Sequence, residues 1–263
     1  MFDFPKKERA VVSKFKRNYL RSIILQFKFD ENKSVVENRA IIEKIFADTY
    51  PRKQDKIAQG FNIVLSDEQT PVVQPLTNEN GEFELRSNDG QATYSFSHDT
   101  ISLTISGSSY SNFERMKLEI GKIQEVCKIC KIDSLKRVAI RKLNIIEFIM
   151  QEGNNPHAMD LVGLILNQQL LSNLSYFPSL EHIKQNLNTI EYVDGDNRLN
   201  LRYGLLAPQP NGKTGQILID IDLFTLSKVK SDQLEKVTSN INDEIFNIFM
   251  WTLSEKSIEH LLS

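Results

Sequence analysis

The sequence predicts an α+β protein whose two halves each run strand, helix, several antiparallel strands, helix. Three observations predict it. Apolar residues alternate with period two in short runs separated by Gly, Asn and Asp turns. Helical spacing recurs near the start and at the end of each half. A chain of 263 residues, 40% hydrophobic and 25% charged, has the composition of an ordinary globular protein and is long enough to bury a large core.

The elements follow in order. Residues 1–18 form a basic leader in which Lys6, Lys7, Arg9, Lys14, Lys16 and Arg17 outnumber Asp3 and Glu8. It is expected to be a solvated arm. Leu20 to Phe29 alternates as a strand, with Ile23, Leu25, Phe27 and Phe29 on one face. Ser34 can cap a helix from Val35 to Tyr50, which Pro51 ends. Phe61 to Leu65 and the Pro-bounded Pro71 to Leu76 read as strands, the second at an edge. Turns at Asn78–Gly81 and Asn88–Gly90 frame a short strand from Phe83 to Arg86. Ala92, Tyr94 and Phe96 alternate, then Ile101, Leu103 and Ile105. Ser109 or Ser111 opens a helix through Met116, Ile120 and Ile123 to Ile132.

The second half repeats that order. Leu135 to Met150 is the longest strand, and Asn155-Pro156 starts a helix through Ile165. After a linker at 173–178, a polar strand spans Ile183 to Val193 and turns at Asp194-Gly195-Asp196-Asn197. Leu199, Leu201 and Tyr203 alternate, and Gln216 to Leu226 is a strong strand. A final helix runs from Ser231 to Leu262. The order resembles the TATA-binding-protein-like fold, a curved sheet with its helices on one face. The halves are therefore 19–133 and 134–263, packed as one unit. Chain order leaves open whether they share one sheet or form two.

Charge and motifs exclude several function classes. Thirty-two Lys plus Arg against 34 Asp plus Glu rule out a general nucleic-acid coat. No apolar run reaches the ~20 residues of a membrane span, the N-terminus lacks an apolar signal core, and only Cys127 and Cys130 are present. A reducing cytoplasm is expected. Cys127-x-x-Cys130 falls at a helix C-terminus, where the dipole disfavours a thiolate, so two core thiols are expected. His98, His157, His182 and His260 belong to no catalytic or metal-ligating spacing. Gly212-Lys213-Thr214 ends like a phosphate loop, but Ala207 stands where the first Gly belongs. No cofactor is expected.

Two charged constellations remain. Asp220-Ile221-Asp222 puts two acids on one strand face, the D-x-D pattern with which some hydrolases hold divalent metal. Arg137, Ala139 and Arg141 share a face of the central strand, and Lys142 and Asn144 share the other. Arg137, Arg141, Lys142 and Asn144 are candidate ligand or phosphate contacts. Arginines on an apolar strand need partners, and pairing with Asp220 and Asp222 across the sheet explains both features at once.

From Arg137-Val-Ala-Ile-Arg141-Lys-Leu-Asn144 the chain resembles a sporadically distributed, functionally uncharacterised bacterial family of about 260-residue proteins. Tyr110-Ser-Asn-Phe113-Glu114 resembles its Y-x-x-W/F-E element, and Leu218-Ile-Asp220-Ile-Asp222 its late acidic strand. Phe246 to Ser254 resembles its closing helix, whereas Lys142 stands where the family tends to have Tyr. The family has no established catalytic residues. Its patchy distribution implies a mobile accessory gene of the anti-phage or antitoxin kind.

The expectation is a non-enzymatic binding protein acting in a complex with a protein encoded nearby. The closing helix would offer an apolar stripe to that partner or to a second copy. Two alternatives are a nucleotide or nucleic-acid sensor using the basic residues and a metal-dependent hydrolase using Asp220 and Asp222.

Overall fold

A computed structural model of the chain describes residues 2, 4–7, 18–55, 61–65, 71–75, 81–110, 112–149, 158–171, 183–206 and 214–262. At its centre, β1 (Leu20–Lys28) pairs antiparallel with the long strand β9 (Arg137–Ile149), Leu25 opposite Ile140. On the far side of β1 come β7 (Thr100–Ser106), β6 (Ala92–Phe96), β5 (Phe83–Arg86) and β2 (Arg52–Asp55). Beyond β9 lie β12 (Thr214–Thr225), β11 (Asn197–Leu205) and β10 (Asn186–Asp194). Among the described residues the two halves thus share one open, nine-stranded antiparallel sheet, joined at β1 and β9.

Period-two alternation builds this sheet one-sided. Ile23, Leu25, Phe27, Leu103, Tyr94, Phe96, Ile140, Ile219 and Ile221 are fully buried on one face. The helices add Ile42 and Phe46 from α2 (Arg39–Phe46), Met116, Ile120 and Ile123 from α3 (Phe113–Ile129), and Ile241, Ile245 and Ile248 from α5 (Leu234–Thr252). Each such side chain contributes about 1.5–3 kcal/mol by leaving water. The neighbouring strand positions, among them Ser22, Gln26, Ser95, Ser102 and Thr104, point to the opposite face and stay partly or fully exposed.

Several boundaries differ from expectation for local reasons. The first helix is split into α1 (Ser34–Glu37) and α2, because Asn38 donates its side-chain amide to the Ser34 carbonyl and leaves helical geometry. Asn112, not a serine, caps α3 by accepting from the Arg115 N–H at 2.9 Å. The long strand begins at Arg137; Ser134–Leu135 is a separate strand, β8, pairing with β13 (Val229–Lys230). β3 (Phe61–Leu65) and β4 (Pro71–Pro75) pair with each other as their own hairpin. β2 has no apolar alternation to reveal it, for all four residues are polar and exposed.

The ends of the chain correct two expectations. Phe2 is 5% exposed and its ring lies 4.9 Å from that of Tyr192, while Phe4 meets Trp251 edge-on at 5.1 Å. The start of the leader is therefore packed, not a solvated arm; residues 8–17 lie outside the described residues. The closing helix stops at Thr252, and extended Leu253 bridges to Leu166 after α4 (Ala158–Ile165) before α6 (Glu255–Leu262) begins. The apolar stripe of α5 is used in its own core, so it is not free for a partner.

Candidate functional site on the open sheet face

The charged strand residues separate onto the two faces. Register sets Asp222 opposite Arg141 and Asp220 opposite Leu143 in the β9–β12 pair. The side chains then pair diagonally. Arg141 holds Asp220 with two bonds, Nε to Oδ1 at 2.8 Å and Nη2 to Oδ2 at 2.6 Å. Arg137 Nη2 reaches Asp222 Oδ2 at 3.2 Å, and its guanidinium carbon lies 3.8 Å from the Phe224 ring centroid.

Burial makes the two pairs unequal. The Asp220 side chain is 3% exposed under an Arg141 that is 41% exposed, whereas Arg137 and Asp222 stand at 24% and 21%. The hydrogen bonds to Asp220 raise the Arg141 pKa against the opposing effect of burial. Burial pushes the Asp222 carboxyl above its ordinary value, and the positive charges of Arg137 and Arg141 only partly counter it.

Lys142 and Asn144 point the other way, toward the helices. Lys142 Nζ donates to Asn242 Oδ1 on α5 at 2.7 Å, and Asn144 Nδ2 donates to the Ile219 carbonyl at 3.2 Å. They share no surface with Arg137 and Arg141, so the four candidate contacts do not form one ligand site. The strand alternation predicted this division.

The remaining motifs gather little chemistry. Among the described residues no group of three metal-ligating side chains forms, at Asp220 and Asp222 or elsewhere. His98 Nδ1 stands 4.0 Å from Glu82, but the neighbouring Ser97 hydroxyl donates to Asp99 instead. Both cysteines are fully buried at the end of α3, and desolvation pushes Cys127 up to about 12 and Cys130 up to about 11. His157, His182, Gly212 and Lys213 lie outside the described residues.

Two features escaped sequence reasoning. Arg202 on β11 is exposed directly across the rung from Asp220. Deeper in the fold, Glu119 is 9% exposed and accepts from the Tyr94 hydroxyl at 3.0 Å and Lys122 Nζ at 3.3 Å. Desolvation, reinforced by the Glu119 charge, raises the Tyr94 and Tyr50 hydroxyls, which stay protonated. Beside them lies a cavity of about 120 Å³. The available signal was an acid set between Met116, Ile120 and Ile123 on an apolar helix stripe.

Fold and site together define an α+β protein with a one-sided antiparallel sheet whose central charges are neutralised from within. No family model matches the chain, and no curated protein does so either. No described helix is long and apolar enough to cross a membrane.

Proposed function

We propose that this chain is a non-enzymatic binding protein that works in a complex with another protein. Its docking surface is the open face of the sheet. The observation that carries this reading is the mutual pairing of Arg137 with Asp222 and Arg141 with Asp220. A phosphate-reading face leaves its guanidinium groups free for the ligand. A two-carboxylate metal site keeps its acids clear of guanidinium groups. Here these four charges already answer one another, and Gln26, Ser102 and Ser95 carry the same face outward as a polar row across β1, β7 and β6.

Such a face suits a folded protein surface of mixed polarity, which matches hydrogen bonds without needing a large net charge. The family resemblance supports a setting of bacterial anti-phage defence or toxin neutralisation, with the partner encoded nearby. The test is co-expression with the adjacent gene's product and capture through a tag on this chain. A stoichiometric complex with that product, lost in Thr104→Arg without a change in melting, is the expected result. Thr104 is exposed at the middle of the face, so the larger side chain blocks docking and not folding. A complex that Thr104→Arg leaves intact, or no complex at all, overturns the proposal. Salt-dependent oligonucleotide binding would instead favour the sensor reading.

A further inference from the structure

The two edges of the sheet are treated differently. β2 closes one side with Arg52, Lys53, Gln54 and Asp55, all exposed. Charged side chains at an edge discourage pairing with another chain. Among the described residues β10 closes the other side with Ile190 at 38%, Tyr192 at 50% and Val193 at 57% exposure, and Thr189 to Asp194 are exposed without interruption. That edge is longer and more apolar than β2, and its charges are Glu191 and Asp194, both acidic.

Its hydrogen-bonding register follows from the hairpin. Gly195, with φ +56°, makes a two-residue turn that leaves Asp194 opposite Asn197 as a hydrogen-bonded pair. Bonds alternate along an antiparallel pair. Asp194, Tyr192 and Ile190 therefore spend their backbone groups on β11, while those of Val193, Glu191, Thr189 and Leu187 point outward.

We propose that β10 pairs antiparallel with β10 of a second copy, extending the sheet across a two-fold axis. With Ile190 on the axis, Glu191 faces Thr189 of the other copy, Val193 faces Leu187, Tyr192 faces Asn188 and Asp194 faces Asn186. Outward backbone groups meet outward backbone groups, and no like charges oppose each other. Sliding two residues so that the axis passes through Glu191 sets carboxylate against carboxylate, which disfavours that register. Ile190 and its mate then bury on the helix side, and Leu187 with Val193 on the open side. This concerns a different surface from the docking face proposed above, and the two stand or fall separately.

Sedimentation velocity on the full chain between micromolar and hundred-micromolar concentrations tests it. The expected species has twice the 30.3 kDa chain mass. Ile190→Lys places two ammonium groups together on the axis and should weaken the dimer at least about 100-fold. Thr189→Lys sets a cation against each Glu191 and should preserve or tighten it. Thr189→Pro removes an outward N–H and should dissociate the dimer without touching the β11 ladder. A wild-type monomer throughout that range overturns the proposal, as does a dimer that survives both Ile190→Lys and Thr189→Pro. Unchanged melting of the monomeric variants excludes unfolding as the cause.

Discussion

Removing either partner of the Arg141–Asp220 pair should destabilise the protein by unequal amounts, and the sign of the inequality follows from burial. Asp220→Asn deletes the charge and keeps the shape. It leaves a guanidinium that is 41% exposed and can hydrate. Two charge-assisted bonds, discounted for that exposure, correspond to about 1–2 kcal/mol. Arg141→Met keeps the apolar stem but leaves a carboxylate 3% exposed without its cation. That penalty is about 3–5 kcal/mol. Arg202, across the rung, can answer part of it, so adding Arg202→Ala to Arg141→Met should deepen the loss. Calorimetry reads the difference at about 2–4 °C per kcal/mol for a chain of this size. The expected drops are roughly 2–8 °C for Asp220→Asn and 6–20 °C for Arg141→Met on that conversion. The double variant Arg141→Met with Asp220→Leu should recover most of the loss, because neither charge remains to be desolvated. Equal drops for the single variants, or a double variant worse than both, would refute the reasoning.

Three further outcomes are expected. Asp222 has a folded pKa above its unfolded one, so its ionisation opposes folding. Its stabilising contribution is present below the unfolded pKa and is lost as pH rises through the folded one. Asp222→Asn should flatten that part of a melting-versus-pH curve and cost less than about 1 kcal/mol at neutral pH. Glu43 runs the opposite way. Burial raises its pKa, but bonds from Lys53 and Arg39 outweigh burial and bring it below the ordinary value. Its contribution is lost as pH falls through the folded pKa, and Glu43→Gln should blunt the acid limb of the same curve. Gly204 adopts φ +131°, and a Cβ there would lie 1.9 Å from the Asn186 carbonyl oxygen. Gly204→Ala should therefore push β10 away and cost more than about 2 kcal/mol by chemical denaturation. A loss below that would mean β10 yields freely at this rung.

Local patterning alone yields the α+β class, most strands and the face that each strand residue takes. Alternation at Ile23, Leu25 and Phe27, or at Ile217, Ile219 and Ile221, is a local consequence of the pleat and needs no tertiary knowledge. The same rule put Arg137 and Arg141 opposite to Lys142 and Asn144, and made Asp220 and Asp222 natural partners for the arginines. What sequence could not supply was register. Only pairing β9 with β12 decides that Arg141 takes Asp220 and Arg137 takes Asp222, because a shift of two residues would leave one arginine without an aspartate while moving no side chain to the other face. Pairing β1 with β9 made one sheet of two halves, and it left β10 at an edge. β2 was invisible because hydrogen bonds to β5, not buried side chains, hold it. The packed Phe2 and Phe4 depend on surfaces of β10 and α5 nearly the whole chain away, which no local pattern encodes.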